Sequence, residues 1–215
     1  GEIQSYDILQ YISNQSKEII ISTGMASFEE IKQALKILNK VKKKKITILH
    51  CTSLYPVRKD LINLNILDKI KKKFNHHIGY SDHSMTDEAC LGAVAKGASI
   101  IEKHVTLNNS MSGPDHKASY NIKNFAKFVK KIRDFEIILG KSKKIISKEE
   151  NSIKIMARKS IVSKRLLKKG AIIKKNDICF KRPGTGFSPL DMRKILGKKI
   201  KRDIKANKVI TKKFI

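Results

Sequence analysis

Apolar residues along the chain switch between two periods. Short, β-branched runs recur at Glu18–Thr23, Lys45–Cys51, His77–Asp82 and Ala98–Val105. Each is nearly continuous in apolarity, the pattern of a strand buried on both faces. Amphipathic stretches lie between them. Phe28–Val41 puts Ile31, Leu35 and Leu38 on one face, and Asp60–Phe74 does the same with Leu64, Leu67 and Ile70. Thr86–Lys96 predicts a shorter helix and Lys123–Leu139 a longer one. Ser27 ahead of Phe28-Glu29-Glu30 reads as an N-cap with acid in the first turn, and Gly97 and Gly140 read as helix stops. Strand–helix alternation of this kind predicts a parallel sheet with right-handed crossovers. Four strands are visible, and Ile3–Tyr6 is either the tail of a connection or a fifth. A closed eight-stranded barrel takes about 250 residues, so residues 1–145 predict half of one.

The pattern changes near Lys141–Asn151. Residues 146–156 read as a polar linker. Residues 157–215 carry short apolar runs split by turn signals at Lys169-Gly170 and Pro183-Gly184, with one helical turn at Asp191–Leu196. These predict a small β-rich domain.

Candidate chemistry follows from the sheet, because parallel α/β sheets bind ligands at the carboxyl ends of their strands. Here those ends read Ser22-Thr23-Gly24, His50-Cys51-Thr52-Ser53 with Tyr55-Pro56 beyond, Ser81-Asp82-His83 and His104-Val105-Thr106. His83 and His104 are one crossover apart, so neighbouring strands bring them together. They are either a divalent-metal pair with open positions for water and substrate oxygen, or a hydrogen-bonded pair at a strand edge. Ser22-Thr23-Gly24 suits a phosphate approaching backbone, or merely precedes a helix cap. Asp115, in Ser112-Gly113-Pro114-Asp115-His116, is a sugar-hydroxyl acceptor, a general base or an Asx turn. Asp82 is a candidate partner to orient a ligand histidine. Arg182, in a Pro/Gly-shaped loop, suits a carboxylate or carbonyl, or is simply solvated.

Composition changes this picture little. The net charge is +28, and 40 of the 47 basic residues are lysine, spread over the whole chain. Base readout favours arginine, so the excess reads as compositional bias on solvated helix faces rather than a nucleic-acid surface. Three scattered cysteines, Cys51, Cys90 and Cys179, argue against a disulfide framework and for a reducing compartment, the cytoplasm. No apolar run approaches a membrane span and no secretory signal is visible. A first residue of glycine points to a processed or partial chain.

Seven motifs then occur in order: STGMAS, LHCTSLYPV, GYSDHS, GASIIEKHVTLN, GPDHKAS, ARKSIV and KRPGTGFSP. Together they resemble N-acetylneuraminate synthase and its legionaminate and pseudaminate relatives. The resemblance covers essentially the whole chain. It implies an α/β fold: the C-terminal half of a (β/α)8 TIM barrel followed by a small antifreeze-like (SAF) domain. It implies condensation of phosphoenolpyruvate with an open-chain N-acetylhexosamine, typically N-acetylmannosamine, giving a nine-carbon 2-keto acid and phosphate with C–O cleavage. A 2,4-diacetamido sugar is the alternative acceptor. It also implies a divalent metal, Mn or Mg, at the aldehyde, and a domain-swapped homodimer. By motif match, His83 and His104 resemble the metal ligands, Ser22 and Ser81 the phosphate contacts, and Tyr55 and Asp115 sugar-side positions. Arg182 resembles the arginine placed over a partner subunit's site. Ser5 and Asp7 resemble a substrate-binding Lys-Ile-x-Ser-x-Glu/Asp stretch, with Glu2 where lysine is usual. Ser53 stands where the sialate enzymes often carry asparagine. Two rivals accompany this reading: a polyanion-binding protein, and an inactive or split fragment.

Overall fold

A computed structural model describes residues 1–15, 17–39 and 45–215. They form two compact units, Gly1–Lys141 and Ser142–Ile215.

The first unit is built on a four-stranded parallel sheet ordered as in the chain: β1 (Ile19–Ser22), β2 (Ile46–Cys51), β3 (His77–Asp82) and β4 (Ile100–Lys103). All four predicted strands are present within two residues of their expected ends, the last being shorter. Helices α2 (Phe28–Leu38), α3 (Ile66–Phe74) and α4 (Glu88–Ala95) join successive strands. They cover one face, where Ile21, Ile48, Ile78, Leu35, Leu67 and Ala93 share a core. The sheet is curled, a partial (β/α)8 barrel. Its concave face carries the alternate residues, Ile20 and Ser22 among them. The expectation of burial on both faces therefore fails at β1, where Ile20 is 54% exposed between the buried Ile19 and Ile21.

Helix α2 begins as the capping box the sequence suggests. Ser27 Oγ accepts from the Glu30 amide at 3.3 Å, and the Glu30 carboxylate accepts from the Ser27 amide at 2.6 Å. Val41, in the predicted extent of this helix, lies outside the described residues. The expected helix over Asp60–Phe74 is instead a 3-10 turn, Lys59–Leu61, followed by α3. Asn63 at φ 50° breaks it, a left-handed conformation that no helix continues through. Ile3–Tyr6 is not a strand. A 3-10 turn, Glu2–Gln4, leads into a helix, α1 (Tyr6–Ser13), whose Leu9 and Ser13 are buried at i, i+4 spacing. Beyond β4, two short parallel strands, β5 (Val105–Thr106) and β6 (Tyr120–Asn121), bracket a loop before α5 (Ile122–Leu139).

In the second unit, the stretch read as a linker is mostly helix α6 (Lys148–Ala157). Ser147 caps it, accepting from the Glu150 amide at 3.1 Å. Its Ile153, Ile155 and Met156 are exposed, so no buried apolar stripe betrayed it in the sequence. Strands β7 (Ser160–Ser163) and β8 (Ile178–Lys181) pair antiparallel. Irregular bridges such as Leu167 with Ile204 extend the β character. A core of Ile161, Ile173, Ile178, Ile195, Ile204 and Ile210 sits beneath. The predicted helical turn is a 3-10 turn, Pro189–Asp191, continued by α7 (Met192–Ile195). No helix among the described residues is long and apolar enough to cross a membrane.

Candidate active site at the strand ends

Strand periodicity builds this site. Side chains alternate between the two faces of the sheet, and the register pairs Cys51 with Ser81 and Ser81 with Glu102. One step of two residues toward the carboxyl ends brings Ser53, His83 and His104. These two tiers, with Ser22, Gly24, Met25 and Tyr55 alongside, line a cavity of about 170 Å³ closed on one side by Gly1 and Ile3. Small-molecule pockets typically begin near 300 Å³, and this cavity is smaller.

The two histidines meet as their spacing suggests. Their ring centroids are 5.0 Å apart with the planes almost perpendicular. His83 is buried, and its Nδ1–H donates to the Thr52 carbonyl at 2.9 Å. That bond fixes the tautomer and presents the Nε2 lone pair, the arrangement common to metal-ligating histidines. His104 lies with Nδ1 3.7 Å from a carboxylate oxygen of Asp115. The Tyr55 ring flanks both, with centroids 4.2 Å from His83 and 5.4 Å from His104.

Asp115 reaches this position because its loop is stapled. Thr106 and His116 share a side-chain hydrogen bond of 2.8 Å, and Asn109 Nδ2 donates to the carbonyls of His116 and Ser119. The donor set fits a divalent metal as far as it goes: two imidazoles with open coordination. No cluster of three or more His, Cys, Asp or Glu ligands occurs among the described residues.

Deeper in the same wall, Ser81 Oγ donates to the Glu102 carboxylate at 2.6 Å. Glu102 was not singled out in the sequence. Counting back two residues from His104 along the strand would have found it, since both then share a face. Cys51, read only as a strand-end residue and a redox indicator, lies 3.9 Å from His83 Nδ1. Burial alone would raise its thiol pKa. Hydrogen bonds with His83, Ser22 and Ser81 outweigh that and hold it below the ordinary thiol range. Burial would lower the His83 pKa, but the contacts with Cys51 and the Thr52 carbonyl raise it. Tyr55 is held above the usual phenol range, first by burial and then by the negative groups Cys51, Asp115 and Glu102.

Several predicted residues lie elsewhere. His50 points to the helix side, where Nε2 donates to the Ile62 carbonyl at 2.7 Å. Thr23 is buried with Oγ1 donating to the Leu49 carbonyl. Asp82 faces the helices and pairs with Lys103 instead of hydrogen-bonding a histidine ring. Ser5 bonds the Glu2 carboxylate, and Asp7 is an exposed residue in the first turn of α1; neither lines the cavity. Arg182 belongs to the second unit, exposed, with Nε donating to the Ala157 carbonyl at 2.8 Å.

The chain is 40% identical over 212 residues to an N,N'-diacetyllegionaminic acid synthase of Campylobacter jejuni, covering 98% of this chain and 64% of that protein. It is 34% identical to a pseudaminic acid synthase of the same species, covering 95% of this chain and 59% of the relative. The crystal structure of an N-acetylneuraminic acid synthetase from Leptospira borgpetersenii, in complex with citrate, superposes with a TM-score of 0.65 at 37% identity. That match covers 71% of this chain and 53% of the other. The chain thus spans less than two thirds of the length of these relatives. Residues 158–215 match the SAF domain, residues 1–144 match the NeuB family, and the chain belongs to that family.

Proposed function

We propose that this chain carries the metal-side wall of a condensing active site that joins phosphoenolpyruvate to an N-acetylated hexose, releasing phosphate. The observation that carries the reading is the tier of His83, His104 and Tyr55 above Cys51, Ser81 and Glu102, at strand ends of a NeuB-family sheet. Such a reaction forms a bond between the enol carbon and an aldehyde carbon, with water adding to the adjacent carbon and phosphate leaving by C–O cleavage.

In this reading His83 and His104 hold the metal, with His83 oriented by Thr52. A bound Mn or Mg ion supplies Lewis-acid polarisation of the aldehyde oxygen. Glu102, steadied by Ser81, accepts a hydrogen bond from a sugar hydroxyl. Tyr55 packs beside the sugar, and Asp115 sits where it can hold a hydroxyl proton next to His104. Ser22 contributes a hydroxyl toward the phosphate from the floor of the cavity. A Cβ at Gly24 would run into Ser53 and Cys51, so glycine keeps this floor open.

The acceptor we propose is a 2,4-diacetamido sugar rather than N-acetylmannosamine. Ser53, in place of the asparagine frequent in sialate enzymes, lines the cavity, and the 40% identity to a legionaminate synthase supports the same choice. The SAF-domain arginine, Arg182, projects from an exposed loop, which favours a homodimer with the loop over a partner's site; sedimentation giving only a monomer would contradict that. Three free cysteines support a reducing, cytoplasmic setting.

Phosphate release from phosphoenolpyruvate with Mn2+ tests the reaction. Release that depends on the diacetamido sugar, and is weaker with N-acetylmannosamine, is the expected result. The reverse preference would overturn the acceptor assignment, and no sugar-dependent release would overturn the reaction.

A further inference from the structure

The strand residue just before each histidine is charged, and the two charges meet. Asp82 and Lys103 are register partners across β3 and β4. Their side chains point to the helix side, away from the cavity, and are 0% and 5% exposed. Lys103 Nζ donates both to the Asp82 carboxylate and, at 2.9 Å, to the Ser84 carbonyl. It therefore grips the two residues that flank His83 while being itself the neighbour of His104. The other lone pairs of Asp82 are satisfied by Tyr80 Oη at 3.0 Å, the Ser84 amide at 2.9 Å and Cys90 Sγ at 3.2 Å. The Tyr120 ring covers the ammonium group at 5.7 Å.

A buried ion pair is weak evidence for stability, since apolar residues of similar volume frequently do as well. What this pair does is geometric. Hydrogen bonds of β3 and β4 set their register, but β4 ends at Lys103 and His83 lies beyond β3. Past that point Lys103 is the cross-strand tie, bridging Asp82 and Ser84 on one strand to the peptide preceding His104 on the other. We propose that Lys103 and Asp82 are positioning residues that set the separation and tilt of the His83 and His104 rings. This rests on the reading of those histidines as a metal pair, but the ring placement itself can be read without metal.

The test uses the full chain, its Lys103→Met variant and the double variant Asp82→Leu/Lys103→Met, which replaces the pair with apolar groups. Circular dichroism checks the fold, imidazole 1H–15N spectra report the two rings, and Mn2+ titration followed by electron paramagnetic resonance gives the affinity. Folded variants should show displaced His83 and His104 ring signals and Mn2+ affinity lowered by about tenfold, the lower end for residues that orient metal ligands. If Lys103→Met does not fold, the double variant and Lys103→Arg carry the comparison. Unchanged ring signals and unchanged affinity in a folded variant would overturn the proposal. If the parent chain binds no Mn2+, the metal reading fails, and the ring signals alone decide the positioning role.

Discussion

Glu102 is the residue that most changes the chemistry of the wall. It is a carboxylate on the concave face, exposed to the cavity, with one oxygen held by Ser81 at 2.6 Å. It faces the same space as the histidines and is not spent on a salt bridge to any described lysine. A hydrogen bond to a charged group contributes about 1.5–3 kcal/mol. Glu102→Gln should thus lower kcat/KM for the acceptor sugar by about tenfold to a hundredfold. Saturation kinetics with each substrate in turn measures this. An unchanged acceptor kcat/KM would remove Glu102 from the sugar site. His50 shows the opposite case. It belongs to a strand end rich in polar groups, yet alternation sends it outward to Ile62 and the face of Tyr80. The face of the strand separates the two residues: Glu102 turns toward the cavity and His50 away from it.

At the scale of elements, the strands were legible because β-branched runs have few other uses, and His77–Asp82 matched to the residue. Helices were legible where one face is buried, as in α2. They were missed where the signal was short or exposed: α1 buries only Leu9 and Ser13, and α6 buries nothing within the described residues. The split before α3 follows from one left-handed asparagine, a conformation that sequence composition does not announce. Within the site, His83, His104, Tyr55 and Asp115 were legible from strand-end position and motif. Glu102 was not, because an apolar run marks a strand without marking which of its residues face inward. Ser5 and Asp7 were placed by resemblance to a Lys-Ile-x-Ser-x-Glu/Asp stretch, and the chain there is a 3-10 turn leading into a helix.

One element of the second unit carries a pH prediction. Asp177 closes the turn before β8, accepting from the Lys174 amide at 2.9 Å and from Arg165 Nε at 2.9 Å. Burial would raise its carboxyl pKa, but those hydrogen bonds and the Arg165 charge win and hold it below the ordinary range. A depressed folded-state pKa stabilises the fold above the unfolded value, near 3.9, and that contribution is lost as pH falls through the folded pKa. Thermal melts should therefore fall more steeply below about pH 4 in the parent than in Asp177→Asn, which has no such carboxylate to protonate. Parallel acid profiles for the two would contradict this.

For the molecule as a whole, the net charge of +28 competes with the enzymatic reading. Lys45 with Glu18 and Lys130 with Asp134 pair on exposed surfaces, where such pairs contribute little. With 47 basic and 19 acidic residues, most lysines must face water without such a partner. A field of that sign would also draw in an anionic substrate such as the proposed phosphoenolpyruvate, at a rate that falls as salt screens it. Binding of polyanions through this field would be salt-sensitive and indifferent to two histidines on a concave sheet face. Divalent metal binding at the strand ends would depend on both. The most direct measurement is a titration of the full chain with Mn2+, beside His83→Ala and His104→Ala. One saturable site per chain is expected, lost or weakened at least tenfold in either variant, as removal of one of two protein ligands requires. Equal Mn2+ affinity in the parent and both variants would contradict it.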